Sequence, residues 1–267
     1  MSRAVKPALI GIPYDAASSY LRGASDAPTH IRRALESPSS NTWSESLVDL
    51  GAPDVLGDWG DTEITSDVRG SIEADIRQVM SEGGLPIALG GDHSITYPVL
   101  RAVRSAHPTL TILHLDAHAD LYDEFEGDRY SHACPFARIM EEKLADRLVQ
   151  VGIRTQTGHL AEQAKRFGVE TLDMRAWSSG ARPTLTGPVY LSLDLDVLDP
   201  AYAPGVSHWE PGGLSVRDVI DIIQRIEGPL IGADVVEYNP VRDPSGVTAM
   251  VAAKFVKEIA AKMIARS

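Results

Sequence analysis

Two short segments of the chain place carboxylates and an imidazole at alternate positions. Asp116, His118 and Asp120 form the first segment, and Asp194 and Asp196 form the second. Alternate residues of extended backbone face the same side, so each segment presents its polar groups together. Buried carboxylates at this density would repel one another and lose their hydration unless a cation neutralised them. The two segments therefore predict a metal site, and an exposed acidic loop is the alternative.

A histidine after a glycine turn adds a further candidate ligand. His93 follows Gly90, Gly91 and Asp92, where on its own it would be a capping or surface residue. The candidate metal ligands are then two imidazoles and four carboxylates: His93, Asp116, His118, Asp120, Asp194 and Asp196. This set exceeds the needs of one tetrahedral ion and suits two ions that share carboxylates. Such ligands favour Mn²⁺, with Zn²⁺, Fe²⁺ or Co²⁺ as alternatives. Two ions about 3.5–4 Å apart activate water for hydrolysis.

A carboxylate at the end of another apolar run is a candidate for binding substrate. Glu237 lies three residues after Asp234, so the two face opposite sides of an extended segment, and Glu237 is nearer to its carboxyl end. A carboxylate that is not used for metal can pair with a cationic substrate group, and with a guanidinium it can do so through two hydrogen bonds. For Asp234, a hydrogen-bonded structural role is the preferred interpretation.

These candidates follow short apolar runs that alternate with amphipathic stretches. Such alternation predicts an α/β fold of three layers, α/β/α, around a mostly parallel sheet, whose ligands bind beyond the carboxyl ends of the strands. Strands are predicted at residues 8–12, 86–89, 110–115, 148–153, 189–195 and 230–236, with weaker candidates at 47–50 and 169–172. Helical periodicity predicts helices at 67–80, 136–148 and 247–265, and a capping box at Ser215 opens another.

Length and composition limit the remaining possibilities. The 267 residues show no linker or repeat, so residues 1–267 are expected to form a single domain, with a loop excursion at 37–60. The formal net charge of −12 argues against nucleic acid and an anionic membrane as partners, and it could attract a cationic substrate. No apolar run is long enough for a membrane helix or an export signal. The single cysteine, Cys134, excludes an internal disulfide. A cytoplasmic location is therefore expected.

Four motifs in chain order resemble those of the ureohydrolases, the family of arginase and agmatinase. They are Gly-Gly-Asp-His-Ser at 90–94, Asp-Ala-His-Ala-Asp at 116–120, Ser-Leu-Asp-Leu-Asp-Val-Leu-Asp-Pro at 192–200 and Val-Glu-Tyr-Asn-Pro at 236–240. Segments 122–133 and 204–215 look closest to plant-type arginases. The resemblance implies the arginase-like fold, two Mn²⁺ per subunit, a small cationic guanidino substrate that is cleaved to urea and an amine, and a homotrimer or homohexamer.

The resemblance also implies roles for individual residues. One Mn²⁺ would be held by His93, Asp116, Asp120 and Asp194, and the other by Asp116, His118, Asp194 and Asp196. His132 matches the family's mobile histidine, which gives a proton to the leaving amine. Glu237 matches the acid that receives the guanidinium. Cys134 lies two residues from His132, and packing is a better interpretation of it than a role as nucleophile.

The substrate stays open at this point. The Asp-x-Asp with which animal arginases read the α-amino group is missing after Arg154, and the loop at 124–130 is the place where a substitute is expected. In that loop Arg129 could pair with an α-carboxylate, and Glu126 or Asp128 could pair with an amine. The first hypothesis is L-arginine, with agmatine and guanidinobutyrate as alternatives. A two-metal phosphoesterase is a second enzyme alternative, but the sequence shows no cluster of basic residues that would bind phosphate. The non-enzyme alternative is a catalytically inactive metal-binding protein of the same fold.

Overall fold

The computed structural model describes residues 6–265, so part of the N-terminal segment behind the export-signal expectation lies outside the described residues. Eight parallel strands form one sheet in the order β2-β1-β3-β8-β7-β4-β5-β6. The strands are β1 (Lys6–Ile12), β2 (Gly57–Asp61), β3 (Gly84–Gly90), β4 (Thr111–Leu115), β5 (Arg147–Val151), β6 (Glu170–Leu172), β7 (Val189–Asp194) and β8 (Leu230–Val236).

Helices cover both faces of the sheet, each with its own apolar core. The helices are α1 (Ala27–Leu35), α2 (Val68–Ser81), α3 (Thr96–Ala106), α4 (Pro135–Glu141), α5 (Gly158–Phe167), α6 (Met174–Ser178), α7 (Val216–Gln224) and α8 (Val247–Ile264). Residues of α1, α6, α7 and α8 pack into one core, and residues of α2 to α5 pack into the other. This arrangement confirms the predicted three-layer α/β/α fold.

The strands that carry the candidate site lie side by side in the middle of the sheet. β3, β8, β7 and β4 are consecutive in the strand order. β4, β7 and β8 are buried along their whole length, and so is β3 after its first residue. The burial explains why each reads as a continuous apolar run. Because all four strands are parallel, their carboxyl ends meet at one edge of the sheet, as the prediction requires.

Some predicted elements are wrong or displaced. The candidate strand at 47–50 is not part of the sheet: Leu47 has a φ of 62°, and Asp49 forms only an isolated antiparallel bridge with Trp43. The strand that this part of the chain contributes is β2, at the edge of the sheet beside β1. Its sequence Gly-Asp-Trp-Gly-Asp is mostly exposed and has no apolar pattern. The helix predicted at 136–148 ends as α4 at Glu141, since Lys143, with a φ of 55°, turns the chain toward β5.

Other local predictions are confirmed. The weaker candidate at 169–172 is strand β6. The side chain of Ser215 accepts a hydrogen bond from the backbone of Asp218, and the Asp218 carboxylate accepts one from the backbone of Ser215, which completes the capping box at the start of α7. Such a cap stabilises a helix by about 1 kcal/mol. Within residues 6–265, no helix combines the length and apolar character that crossing a bilayer requires.

Candidate metal centre and catalytic cleft

Three carboxylates surround one imidazole nitrogen at the edge of the sheet. The Nδ1 atom of His93 lies 3.1 Å from Asp116 Oδ2, 3.1 Å from Asp120 Oδ2 and 3.3 Å from Asp194 Oδ2. All four side chains are buried. These are the four residues that the resemblance assigns to one metal ion.

The hydrogen bonds of His93 indicate which kind of ligand its Nδ1 atom and the three carboxylates could bind. Ser192 Oγ donates to Asp234 Oδ1 at 2.7 Å, so it can only accept from Nε2 of His93, which lies 2.9 Å away. In the neutral ring, Nδ1 then carries a lone pair directed at the carboxylates. Among residues 6–265 this buried atom has no hydrogen-bond partner of acceptable geometry. A lone pair that faces three carboxylates is repulsive without a cation between them, so the donor set fits a divalent metal ion.

A second group of ligands shares Asp116 with the first. His118 Nδ1 lies 2.9 Å from Asp196 Oδ2 and 3.4 Å from Asp116 Oδ1. Asp116 thus presents one oxygen to each group, as a bridging ligand must. Asp194 adjoins the second group, because the Asp196 amide donates to its Oδ1 at 2.7 Å. Burial raises the pKa of Asp194, and the negative charges of Asp196 and Asp116 raise it further, so the cluster needs neutralising charge.

Unusual backbone geometry directs the residues of the site. Asp120 and Glu237 have φ angles of 50° and 64°, in the left-handed region that non-glycine residues rarely adopt. Such a conformation costs about 1–3 kcal/mol, which the surrounding packing must offset. At Gly91 a Cβ atom would lie 1.7 Å from the carbonyl oxygen of Tyr14, so only glycine allows the turn that brings His93 into place.

Glu237 and His132 form a pair next to the metal ligands. Glu237 Oε1 accepts hydrogen bonds from the His93 amide and from His132 Nδ1, each at 2.8 Å. Burial is the largest single influence on Glu237 and raises its pKa, but the charge and hydrogen bond of His132 and the hydrogen bond from the His93 amide together lower the pKa below its ordinary value, so the carboxylate is ionised. Burial lowers the pKa of His132, but the charge and hydrogen bond of Glu237, together with the charges of Asp120 and Asp92, outweigh this effect and raise the pKa to about 9.

Ser19 contacts the other nitrogen of His132. Its hydroxyl lies 2.8 Å from His132 Nε2, and its amide lies 3.1 Å from the same atom. The hydroxyl can donate to the neutral ring and accept from the protonated ring, whereas the amide N–H can only donate, to the lone pair that Nε2 carries in the neutral ring. The loop that carries Ser19 is held by Ala17, whose amide donates to Asp92 and whose carbonyl accepts from the His132 amide.

A cleft of about 230 Å³ opens onto these groups. Its wall includes Asp194, Asp196, His118, His132 and Glu237, together with Ser19, Tyr122, Phe125, His208 and Glu210. Burial lowers the pKa of His208, which keeps this ring neutral between its neighbours. Among the residues that the structure describes, no lysine or arginine lines the cleft.

Comparison with known proteins decides the family. A sequence profile of the Arginase family matches residues 5–261. The chain belongs to the arginase family. This membership makes it a hydrolase of guanidino carbon–nitrogen bonds, as the resemblance implies.

Several arginase-family proteins are similar over nearly the whole chain. Arginase 2, chloroplastic/mitochondrial, of Arabidopsis thaliana is 49% identical over 96% of this chain and 80% of the Arabidopsis protein. The solved arginase of Medicago truncatula superposes with a TM-score of 0.93 at 46% identity, covering 97% of this chain and 88% of that one. Guanidinobutyrase of Pseudomonas aeruginosa is 34% identical over 96% of this chain and 86% of that protein. The organelle in the Arabidopsis name gives no support to a cytoplasmic location, which stays a prediction.

The charged residues of the loop at 124–130 do not line the cleft of this arginase-family chain, although Phe125 of the same loop does. Arg129 pairs with Glu141 at 3.1 Å, and its side chain is 51% exposed. Asp128 lines a separate small cavity, and its carboxylate accepts a hydrogen bond from the backbone of Tyr130. Glu126 is exposed. None of these three loop residues is part of the cleft wall.

Cys134 is fully buried at the N-cap of α4. Its pKa rises to about 12, chiefly because burial disfavours the thiolate. Its sulfur lies 3.7 Å from the carbonyl oxygen of Asp128. This environment agrees with packing and not with a nucleophile.

Four residues of this arginase-family site are absent from the sequence-based selection. They are Ser19, His114, His208 and Glu210. His114 could have been found, because it stands two residues before Asp116 and alternation places it on the same side. Ser19 had no such signal, since it is 113 residues from its partner His132.

Proposed function

We propose that the protein hydrolyses L-arginine to L-ornithine and urea with two bound Mn²⁺. The observation that carries the proposal is the placement of two metal-ligand groups and the Glu237–His132 pair in one cleft. Similarity to plant arginases supports arginine as the substrate. All eight strands join one sheet, which supports a single catalytic domain.

Each metal ion would have its own ligand group. His93, Asp120 and one oxygen of Asp116 would hold the first, and His118, Asp196 and the other oxygen of Asp116 would hold the second, with Asp194 between them. When bound, the two ions would activate water as a nucleophile near neutral pH. Four carboxylates and two divalent cations balance in formal charge.

Glu237 would receive the guanidinium. Within residues 6–265, both hydrogen bonds that its carboxylate accepts are to Oε1, so Oε2 would be available to accept from the substrate. A buried carboxylate and a guanidinium form a strong, oriented pair, which would hold the reacting carbon beside the metal ligands.

His132 would supply the proton that the leaving amine needs. With its pKa raised to about 9, the ring is protonated at neutral pH, and its Nδ1–H already lies against the carboxylate that holds the guanidinium. The breaking carbon–nitrogen bond leaves an amine that accepts the Nε2 proton, and the ring keeps the Nδ1–H that Glu237 holds. Ser19 would then donate to the neutral ring and hold it in place until it regains a proton.

The substrate tail distinguishes the candidate substrates. With no basic side chain in the described cleft wall, a carboxylate on the tail has no charged partner there, whereas an amine can pair with Glu210. Arginine and agmatine both carry such an amine, so agmatine is the second candidate. Guanidinobutyrate carries only a carboxylate, which makes it the weaker fit. The same absence of cations disfavours phosphate esters.

Urea release tests the proposal. Metal-free protein is reloaded with Mn²⁺, and urea and amine are measured with arginine, agmatine, guanidinobutyrate and free guanidine. Arginine should give the highest kcat/KM. The highest value with agmatine would reassign the substrate, and tight Mn²⁺ binding without turnover of any guanidine would identify an inactive metal-binding protein.

The family resemblance also supports a homotrimer or homohexamer, which we propose as the assembly. Light scattering after size-exclusion chromatography measures the mass directly. For a 28.8 kDa chain, a monomer mass would contradict the proposal.

A further inference from the structure

Polar side chains cross the sheet two residues before the ligands on β4 and β7. Gln150, His114, Ser192 and Asp234 are paired in register on the neighbouring strands β5, β4, β7 and β8. In-register residues of parallel strands face the same side of a sheet. All four side chains are fully buried. We refer to these four residues as the polar row.

One half of the polar row orients His93, through Ser192 and Asp234 as described above. The other half ends on the shared ligand. His114 Nε2 lies 2.7 Å from Asp116 Oδ2. The His114 ring stacks on Phe136, with centroids 3.8 Å apart and planes at 24°, so its orientation is fixed by packing. Because an ionised carboxylate only accepts hydrogen bonds, Nε2 must carry a hydrogen.

Gln150 determines which nitrogen of His114 is free. Its Nε2 lies 2.7 Å from the carbonyl oxygen of Ala119 and 3.0 Å from His114 Nδ1. A carbonyl oxygen can only accept, so the amide nitrogen must face it, and the second hydrogen of that nitrogen is directed at Nδ1. Nδ1 is therefore an acceptor, which leaves the ring hydrogen on Nε2. The bond to Ala119 also holds the segment between His118 and Asp120.

We propose that His114 is a positioning residue of the metal centre, and that Gln150 fixes the tautomer in which His114 holds Asp116. Asp116 must present one oxygen to each ligand group, and a rotation of its carboxylate would move both oxygens out of position. The hydrogen bond from His114 prevents this rotation. The inference rests on the proposed two-metal function.

Calorimetric titration of metal-free protein with Mn²⁺ tests the inference. His114→Phe keeps the stacking on Phe136 and removes the donor, so it should weaken Mn²⁺ binding about 10- to 100-fold. Gln150→Leu should weaken it about tenfold, and His114→Gln, which restores a donor, should recover part of the loss. Thr171→Val is the matched control. Thr171 is paired with Gln150 on β6, and its buried hydroxyl has no hydrogen-bond partner among the described residues.

The outcomes separate this inference from the proposed function. Wild-type protein that binds no Mn²⁺ would refute the two-metal function itself. Wild-type protein that binds Mn²⁺ while His114→Phe binds it within threefold as tightly would overturn only the role of His114. A merely structural role would lower the melting temperature of the metal-free variant and leave its Mn²⁺ affinity unchanged. Should His114→Phe fail to fold, unchanged affinity in Gln150→Leu would overturn the inference.

Discussion

Replacing Glu237 by glutamine removes one negative charge and almost no volume. The Oε1 atom that accepts from the His93 amide and from His132 is kept, so the local fold should persist. The oxygen that would face the guanidinium becomes an amide nitrogen, which donates where an acceptor is needed. Glu237 is only 4% exposed, so little solvent screens the pair. Losing one partner of a buried ion pair costs about 3–5 kcal/mol, which corresponds to a fall in kcat/KM of about 150- to 5,000-fold.

The change should also alter the pH dependence of kcat. Among the groups that raise the pKa of His132 to about 9, Glu237 contributes most, so without its charge that pKa falls. A smaller fraction of His132 then holds a proton at pH 8, and the loss of activity on raising the pH should begin at lower pH than in the wild type. Urea release measured from pH 6 to 10 gives both the fall in kcat/KM and the pH dependence of kcat.

A buried carboxylate far from the cleft provides the control. Glu258 on α8 is 2% exposed and pairs with Lys254 at 2.6 Å. Glu258→Gln should leave kcat/KM within about twofold, because the cleft does not include it. Should Glu237→Gln keep kcat/KM within threefold of the wild type while it binds Mn²⁺ normally, Glu237 would not be the guanidinium partner.

Four further predictions can be checked directly. In steady-state kinetics, His132→Asn should lower kcat far more than it raises KM, and an unchanged kcat would remove His132 from the proton path. Arg129→Ala should leave the ratio of arginine to agmatine turnover unchanged, because Arg129 pairs with Glu141 outside the cleft; a shifted ratio would show that Arg129 does help to select the substrate. At pH 8 the folded protein should resist alkylation of Cys134, because a pKa of about 12 lowers the thiolate fraction about a thousandfold, and fast labelling seen by mass spectrometry would contradict this burial. Chelation of the metals should lower the melting temperature by roughly 10–20 °C in scanning calorimetry, if each site is held at a hundredfold excess over its Kd; an unchanged temperature would mean that the ions do not stabilise the fold.

The sequence predicts the central strands better than the edge of the sheet. β4, β7 and β8 are buried on both faces, so nothing but apolar side chains suits most of their positions. The edge strand β2 is mostly exposed, and its carboxylates Asp58 and Asp61 pair with Arg32 of α1 instead of filling a core. A pattern of apolar side chains cannot reveal such a strand. The apolar residues at 47–50 therefore predict a strand where the sheet has none, and β2 has no such pattern.

The same contrast holds for the site. Asp116 and His118 can be selected from the sequence because alternation on one strand places them together. The polar row crosses four strands, so it depends on strand order and register, which local patterns do not contain. Glu210 and Ser19 reach the cleft from loops, and their partners in space are far away in the chain.

Part of the negative charge of the chain is concentrated at one edge of the sheet, and the strand order explains why. The central strands gather four of the carboxylates at one edge, where two divalent cations would cancel four of the twelve excess negative charges. Glu237 and Glu210 are not needed by the metals, and the described cleft wall offers them no lysine or arginine. The loaded cleft would therefore stay negative and complement a substrate with two positive charges. A guanidinium joined to an amine meets that requirement, whereas a guanidinium joined only to a carboxylate does not.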